Sequence, residues 1–443
     1  MDALVEATLK HGLIPLVVME FPGITVGGGF SGTSGESSSF RYGAFDTTIN
    51  SIEIVLADGT IANASKTEKP DLFWGAASAF GTLGVVTLLE VQLKDAKKYV
   101  ELTYHLSTSP SESVKEIQEQ CGKAENDFID GIVYSMDSTV ICVGRLVDEL
   151  PNGSKARHFT RRQDRWFYLH VEQVQKNLKK NPSETVTDYI FIVDYIFRYD
   201  RAGFWVAKYA FKYFLTPLNR VTRYILDPFL RTRVMYSAGH KSGLFEYYMV
   251  QDVGVPYETV DEFQTWLHEQ HNIYPLWLCP LRLQRDTPDS GHGLHSEFSK
   301  AGTPDLLNFG IWGPIVGNRR DAIQSNRALE QKVEACGGKK WLYAQAYYTE
   351  DDFWRLYDRE SYDALRSKYS AGYLLSVYDK VKVDVEAGHE AAMLSTVRTH
   401  WPIQGLKGVY KALAGGDYLL QKKSDNAVSK QSGGTHQQKQ PMT

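Results

Sequence analysis

The chain has 443 residues, 43% hydrophobic and 23% charged, with a formal net charge of −4. That length can hold two or three domains with large cores, and the mild acidity gives no electrostatic case for a nucleic-acid partner. Cys121, Cys142, Cys279 and Cys336 are far apart with no C-x-x-C pair, which argues against a zinc site and a disulfide scaffold and fits a reducing compartment.

Met1 to Leu13 reads as an amphipathic helix with apolar Leu4, Val5 and Leu9 and a stop at Gly12, not as a secretory leader. No apolar run is long enough to span a bilayer. Ile14 to Val18 is a short strand. Thr25 to Gly43, TVGGGFSGTSGESSSFRYG, follows. Glycine lets backbone come close to a ligand that a Cβ would push away, and successive N–H groups can cradle anionic oxygens. The stretch reads as the wall of a dinucleotide site or as a plain glycine-rich surface loop. It is neither a Rossmann fingerprint nor a P-loop, because no G-x-G-x-x-G opens a helix and no Gly-Lys-Ser/Thr follows.

Ser51 to Ala64 is a hairpin turning at Asp58-Gly59. Pro70 to Ala79 is a short helix, Gly81 to Gly84 a tight turn, and Val85 to Leu93 a buried strand. From Tyr99 the glycine-rich loops stop. Val100 to Leu106 is a strand, Ser111 to Gln120 a helix, and Phe128 to Val147 a strand pair around Asp137-Ser138. Arg161 to Arg233 is rich in aromatic and basic residues and reads as helical, densest from Phe204 to Phe214. Such a segment suits a membrane surface or a buried helix, and aromatic stripes are more often core. Strands are expected at Phe245 to Val250, Ile273 to Leu283, Leu306 to Ile315 and Trp341 to Tyr348. Helices are expected at Val260 to His271, Ser325 to Ala335, Glu350 to Tyr357 (capped by Thr349) and Ser361 to Lys368. Lys422 to Thr443 has almost no apolar residues and reads as disordered.

Three stretches carry a resemblance. They are TVGGGFSGTSGESSSFRYGAFDTTINSIEIVLADG with DLFWGAASAFGTLGVV, then NIYPLWLCPLRL, then KKWLYAQAYYTEDDFWRLYD continuing to LLSVYDKV. From Met1 to Lys382 the chain is similar to the FAD-dependent Δ24-sterol reductases, the 24-dehydrocholesterol reductase and Diminuto family, of vanillyl-alcohol-oxidase (PCMH) type. The resemblance implies an α+β protein. Residues 1–98 would be the C-terminal part of an FAD-binding domain and 99–386 a substrate domain including the 161–233 segment. Residues 387–443 would be a weakly ordered to disordered tail. It also implies an earlier FAD subdomain with a pyrophosphate loop and a hydrophobic anchor, neither seen here, so either Met1 is internal to a longer protein, which is the expectation, or this chain binds FAD poorly. That full-length protein would sit in the endoplasmic reticulum membrane, facing the cytosol.

By position, the resemblance assigns FAD contacts to Pro15, Val18, Met19 and Glu20, to Thr25, Val26, Gly27, Gly28, Gly32 and Thr33, and to Gly81, Thr82, Leu83 and Gly84. Glu36 would accept a hydrogen bond near the flavin or cap a turn. The implied reaction reduces an isolated sterol side-chain alkene with electrons from NADPH through FAD. Such an alkene is not electrophilic, so a general acid must protonate it in a pocket that excludes water. On the expected strand WLYAQAYY, Tyr343 and Tyr347 share one face and are candidate acids or ordinary core rings; Tyr343 is the first choice. Tyr274, Trp277 and Leu278 would line the sterol slot or simply pack. The histidines give no metal case. Two rivals remain at this stage, an alcohol or sugar-acid oxidase of the same fold and a non-catalytic remnant. Oligomeric state is left open.

Overall fold

The structure, a computed structural model, describes residues 1–181, 185–385 and 402–415. Its strands fall into three sheets. β1 (Leu13–Pro15) pairs antiparallel with β5 (Leu93–Asp95), and β2 (Ile49–Leu56) lies between β3 (Ile61–Ser65) and β4 (Gly84–Val91). The third sheet holds β6 (Tyr99–Ser107), β7 (Phe128–Ser135), β8 (Ser138–Val147), β9 (Ala156–Arg157), β10 (Val186–Phe191), β11 (Tyr248–Pro256), β12 (Leu276–Leu281), β13 (Leu306–Pro314) and β14 (Lys339–Lys340). Its order is β14-β11-β13-β12-β7-β8-β6-β10-β9, antiparallel except at β10–β9.

Successive side chains on a strand face opposite ways, and that sorts this sheet into two cores. Ile129, Val133, Val253, Leu278 and Phe309 face the helices Pro110–Cys121, Val260–Gln270 and Arg319–Ala335, which contribute Ile117, Phe263 and Leu329. The alternate positions, among them Ile132, Cys142, Trp277, Cys279 and Trp312, share one core with Ile14, Phe30, Phe45 and Phe73 of the amino-terminal segments. Those segments therefore pack on one face of the nine-stranded sheet.

Several elements differ from expectation. Val26–Ser31 is a short helix, with Thr25 Oγ1 accepting from Gly28 N–H at 3.0 Å. β4 is not a buried strand: it edges the small sheet, and Val85 and Leu88 point to solvent. Residues 161–233 are not all helical, because β10 pairs with β6 there. The aromatic residues Trp166, Phe204, Trp205 and Phe211 in that segment are buried. The strand expected at Phe245 begins at Tyr248, after a 3-10 turn over Leu244–Tyr247.

Trp341 to Tyr348 is not a strand. After β14 the chain leaves the sheet, and side chains take up its backbone groups: Gln251 Nε2 donates to Gln345 O at 3.1 Å, and Glu330 Oε1 accepts from Tyr347 N–H at 2.9 Å. The helix Arg319–Ala335 starts earlier than expected because Asn318 caps it. Within the region taken as a weak tail, Ile403–Gly415 is a helix packed on Thr232–Ser242. Gly408 allows that approach, since a Cβ there would stand 2.5 Å from Ala238 O. The rest of that region, 387–401 and 416–443, lies outside the described residues.

Candidate active site

A cavity of about 1090 Å³ opens between the glycine-rich segment and the nine-stranded sheet. Gly23, Gly27, Gly28, Gly81 and Gly84 give it a wall without side chains; at Gly27 a Cβ would meet nothing within 4 Å. The sheet supplies the opposite side through Asp252 of β11, Trp277 of β12 and Trp312 of β13. These share a face by alternation. Gly310 of β13 is the cross-strand partner of both Trp277 and Asp252, and its missing side chain leaves room for the Trp312 ring. A Cβ there would stand 2.2 Å from that ring. Because Trp312 is wedged among Phe204, Trp205 and Trp277, Gly310→Ala is expected to cost about 1–3 kcal/mol by overpacking. An unchanged urea midpoint would show that the ring has space to yield.

Three carboxyls face this cavity: Glu20, Glu36 and Asp252, all buried. Burial pushes Asp252 up to about 7, against the hydrogen bonds from Asn308 and Tyr343 that lower it. Asn308 Nδ2 donates to Asp252 Oδ1 at 3.3 Å. Burial likewise raises Glu20 to about 8, and raises Glu36 well above the carboxylate range, with the Glu20 charge adding to it. Glu36 Oε1 accepts from Glu20 N–H at 3.3 Å. Behind Glu20 lies Arg198, whose Nη2 is 2.9 Å from both Glu20 Oε1 and Asp130 Oδ2. Arg198 is aligned to donate to Asp130, while neither oxygen of Glu20 has a donor in hydrogen-bonding geometry. Tyr199 Oη and Trp277 Nε1 also donate to Asp130 Oδ2, at 2.8 and 3.0 Å.

Tyr343 leans over this floor on the segment that follows β14. That segment is pinned by Trp341, whose N–H donates to Asp252 O at 3.1 Å and whose indole donates to Asn308 Oδ1 at 2.9 Å. Tyr343 is 47% exposed, along the cavity, and burial together with the nearby Asp252 carboxyl pushes its phenol well above the usual value.

Of the residues singled out in the sequence, Glu20, Thr25, Gly27, Gly28, Glu36, Gly81, Gly84, Trp277 and Tyr343 line this one cavity. The others lie off it. Pro15 is buried in β1 and Met19 lies beneath Gly29, with Val18 partly buried between them. Val26 packs against the core, Gly32 is buried behind Tyr343, and Thr33 Oγ1 meets Ser78 Oγ. Thr82 Oγ1 bonds Tyr362 Oη at 2.7 Å and Leu83 is core. Leu278 faces the opposite core, and Tyr274 Oη bonds His268 Nδ1 at 3.2 Å. Tyr347 is buried and donates to Gln345 Oε1 at 2.9 Å, so it does not share a surface with Tyr343.

No family model matches the chain. It is 29% identical over 368 residues to the Delta(24)-sterol reductase of Macaca fascicularis, covering 82% of this chain and 69% of that protein. The Arabidopsis thaliana Delta(24)-sterol reductase is 29% identical over 413 residues, covering 86% of this chain and 72% of its own length. Over most of its length the chain is similar to the Delta(24)-sterol reductases. A shorter likeness, 34% over 128 residues, joins it to cytokinin dehydrogenase 4 of Oryza sativa subsp. japonica, covering 28% of this chain and 24% of that one. Among the described residues no helix is long and apolar enough to cross a membrane.

Proposed function

We propose that this chain is an FAD-dependent oxidoreductase of the PCMH type that reduces the Δ24 double bond of a sterol side chain with electrons from NADPH. The single observation that carries the reading is the cavity in which a bare glycine wall faces protonatable groups, in a chain similar to sterol reductases over most of its length. The residues fit a flavin. The cavity exceeds the roughly 300–1,000 Å³ of an ordinary small-molecule site, leaving room for a flat ring system beside a second molecule. Gly27, Gly28, Gly81 and Gly84 would hold the ring system, with Glu20 and Glu36 at its edge. Bound there, a reduced flavin would supply the hydride, and NADPH the electrons that regenerate it.

The chain's own residues do the rest. Trp277, Trp312 and Phe204 offer an apolar side against which the sterol tail can lie without water. Tyr343 Oη gives its proton to the less substituted alkene carbon, leaving a tertiary cation for the hydride. Asp252, held protonated by burial, replaces the Tyr343 proton through the contact between them.

Asp252 ties both activity and stability to pH. Turnover is expected to fall as pH rises through about 7, where Asp252 loses its proton. The folded pKa lies above the unfolded value of about 4, so between about pH 4 and 7 the native state holds a proton that the unfolded chain lacks. Stability contributed by that proton is complete below the window and lost as pH rises across it. Asp252→Asn should flatten the stability profile there; an unchanged profile would mean that Asp252 is ionised in the fold. The function itself is tested by adding a Δ24 sterol to FAD-loaded protein with NADPH. Sterol-dependent NADPH loss with a saturated side chain as product is expected, and NADPH loss indifferent to sterol would reject the reading.

A further inference from the structure

We propose that the face formed by the helices Arg220–Leu226 and Ile403–Gly415 lies on an anionic lipid bilayer, with the apolar cavity behind it taking up a lipid chain. The inference is independent of the sterol chemistry proposed above. Among the described residues nineteen large apolar side chains are exposed, and ten of them belong to residues 215–229 and 403–413. Leu215, Val221, Ile225 and Tyr410 are 75%, 65%, 57% and 71% exposed.

The Arg220–Leu226 helix has no buried residue at all, yet its first turn is fully capped, with Asn219 Oδ1 accepting from Val221 and Thr222 N–H. A seven-residue helix gains little stability from its own backbone. Leu226 packs inward and Arg162 lies over the Tyr224 ring, but Val221 and Ile225 are held exposed, a display that suits a surface able to supply the packing.

Charge names the kind of surface. The chain as a whole is acidic, at −4. The four helices that build this side, Val206–Tyr213, Arg220–Leu226, Thr232–Ser242 and Ile403–Gly415, contain no Asp or Glu. They carry Lys212, Arg220, Arg223, Lys241, Lys407 and Lys411. The connector carboxylate Asp227 is buried against Arg201 and Arg231. Basic residues flanking exposed apolar ones match an interface of anionic headgroups over acyl chains.

Behind the face, helices Val206–Tyr213, Thr232–Ser242 and Ile403–Gly415 enclose a second cavity of about 460 Å³. Its lining includes Phe211, Leu230, Met235, Phe245, Leu406 and Val409, with scarcely a polar atom among them. Cavities of this kind stay dry, and an acyl chain is the ligand its chemistry suits.

The test is flotation of the full chain with phosphatidylcholine vesicles, with and without phosphatidylserine. Phosphatidylserine should raise the bound fraction about fivefold or more, and salt should reverse the gain. Val221→Asp with Ile225→Asp should lower binding to the anionic vesicles about tenfold while leaving the unfolding midpoint unchanged, because both side chains are exposed. Arg220→Glu, which removes charge without touching apolar surface, should abolish the phosphatidylserine preference. Equal flotation on both vesicle types would overturn the proposal, as would unaltered binding by the variants. A lipid-free dimer that the Val221/Ile225 double variant dissociates would assign the face to a second copy of the chain instead, and would overturn it too.

Discussion

Replacement of Arg198 by methionine is expected to cost about 3–5 kcal/mol of folding stability, the range for breaking a buried ion pair from one side. Arg198 is fully buried, with Nη2 at 2.9 Å from both Glu20 and Asp130. Nη1 donates to Tyr195 O at 2.9 Å, and the guanidinium lies 4.1 Å from the Tyr195 ring and 4.6 Å from that of Tyr199. Methionine fills the volume but leaves two carboxyls facing each other without a cation. Adding Asp130→Asn to Arg198→Met removes the carboxyl to which Arg198 donates and should recover part of the loss, a coupling that a double-mutant cycle measures. A loss under 1 kcal/mol at neutral pH would mean that Arg198 does not hold this floor together, since even exposed pairs reach about that value.

Tyr343→Phe removes one oxygen from the cavity and is expected to lower turnover about 10²–10⁴-fold, the usual contribution of a positioned general acid. The ring remains, so the apolar wall is kept and sterol affinity should change little. Reduction of bound flavin by NADPH should survive. Asp252→Asn should slow turnover in the same direction and remove the fall in rate above about pH 7. Full activity in Tyr343→Phe would transfer the acid's role to Glu20 or Glu36, the remaining carboxyls on the cavity.

Local chemistry made some of this legible from residues alone. Asp58-Gly59 announces the β2–β3 hairpin, Thr349 caps the helix that follows it, and Asp137-Ser138 stands at the β7–β8 turn. The glycine-rich stretch read as the wall of a dinucleotide site or as a plain surface loop; Gly27 and Gly28 border a cavity. The sequence misled where a local pattern had a non-local cause. WLYAQAYY alternates like a strand, but distant groups take up its hydrogen bonds: Asp252 and Asn308 hold Trp341, and Glu330 accepts from the Tyr347 backbone. Val85 and Leu88 look like core until β4 proves to be the edge of a small sheet.

Asp252 and Arg198 were missed because their partners lie far along the chain. The signal for Asp252 was present, a Gln-Asp pair inside the otherwise apolar run YMVQDVGVP. A buried charge in a strand demands a partner or a proton. Pairing of β11 with β13 supplies Asn308, and the segment after β14 brings Tyr343. No periodicity in either segment foretells that meeting.

On the function proposed here, the bare glycine wall admits a flat cofactor beside Asp252 and Tyr343. The most direct measurement is an equilibrium titration with FAD, followed by flavin fluorescence, of the wild-type chain and of Gly27→Phe. A Cβ at Gly27 would meet nothing within 4 Å, so the substitution starts into open space: the variant is expected to unfold near the wild-type urea concentration while its ring occupies the cavity. Saturable binding by the wild type is expected, with a loss of at least about 100-fold in Gly27→Phe, the cost of steric exclusion from a preformed site. Equal affinity in the two proteins, or no binding by the wild type, would contradict it.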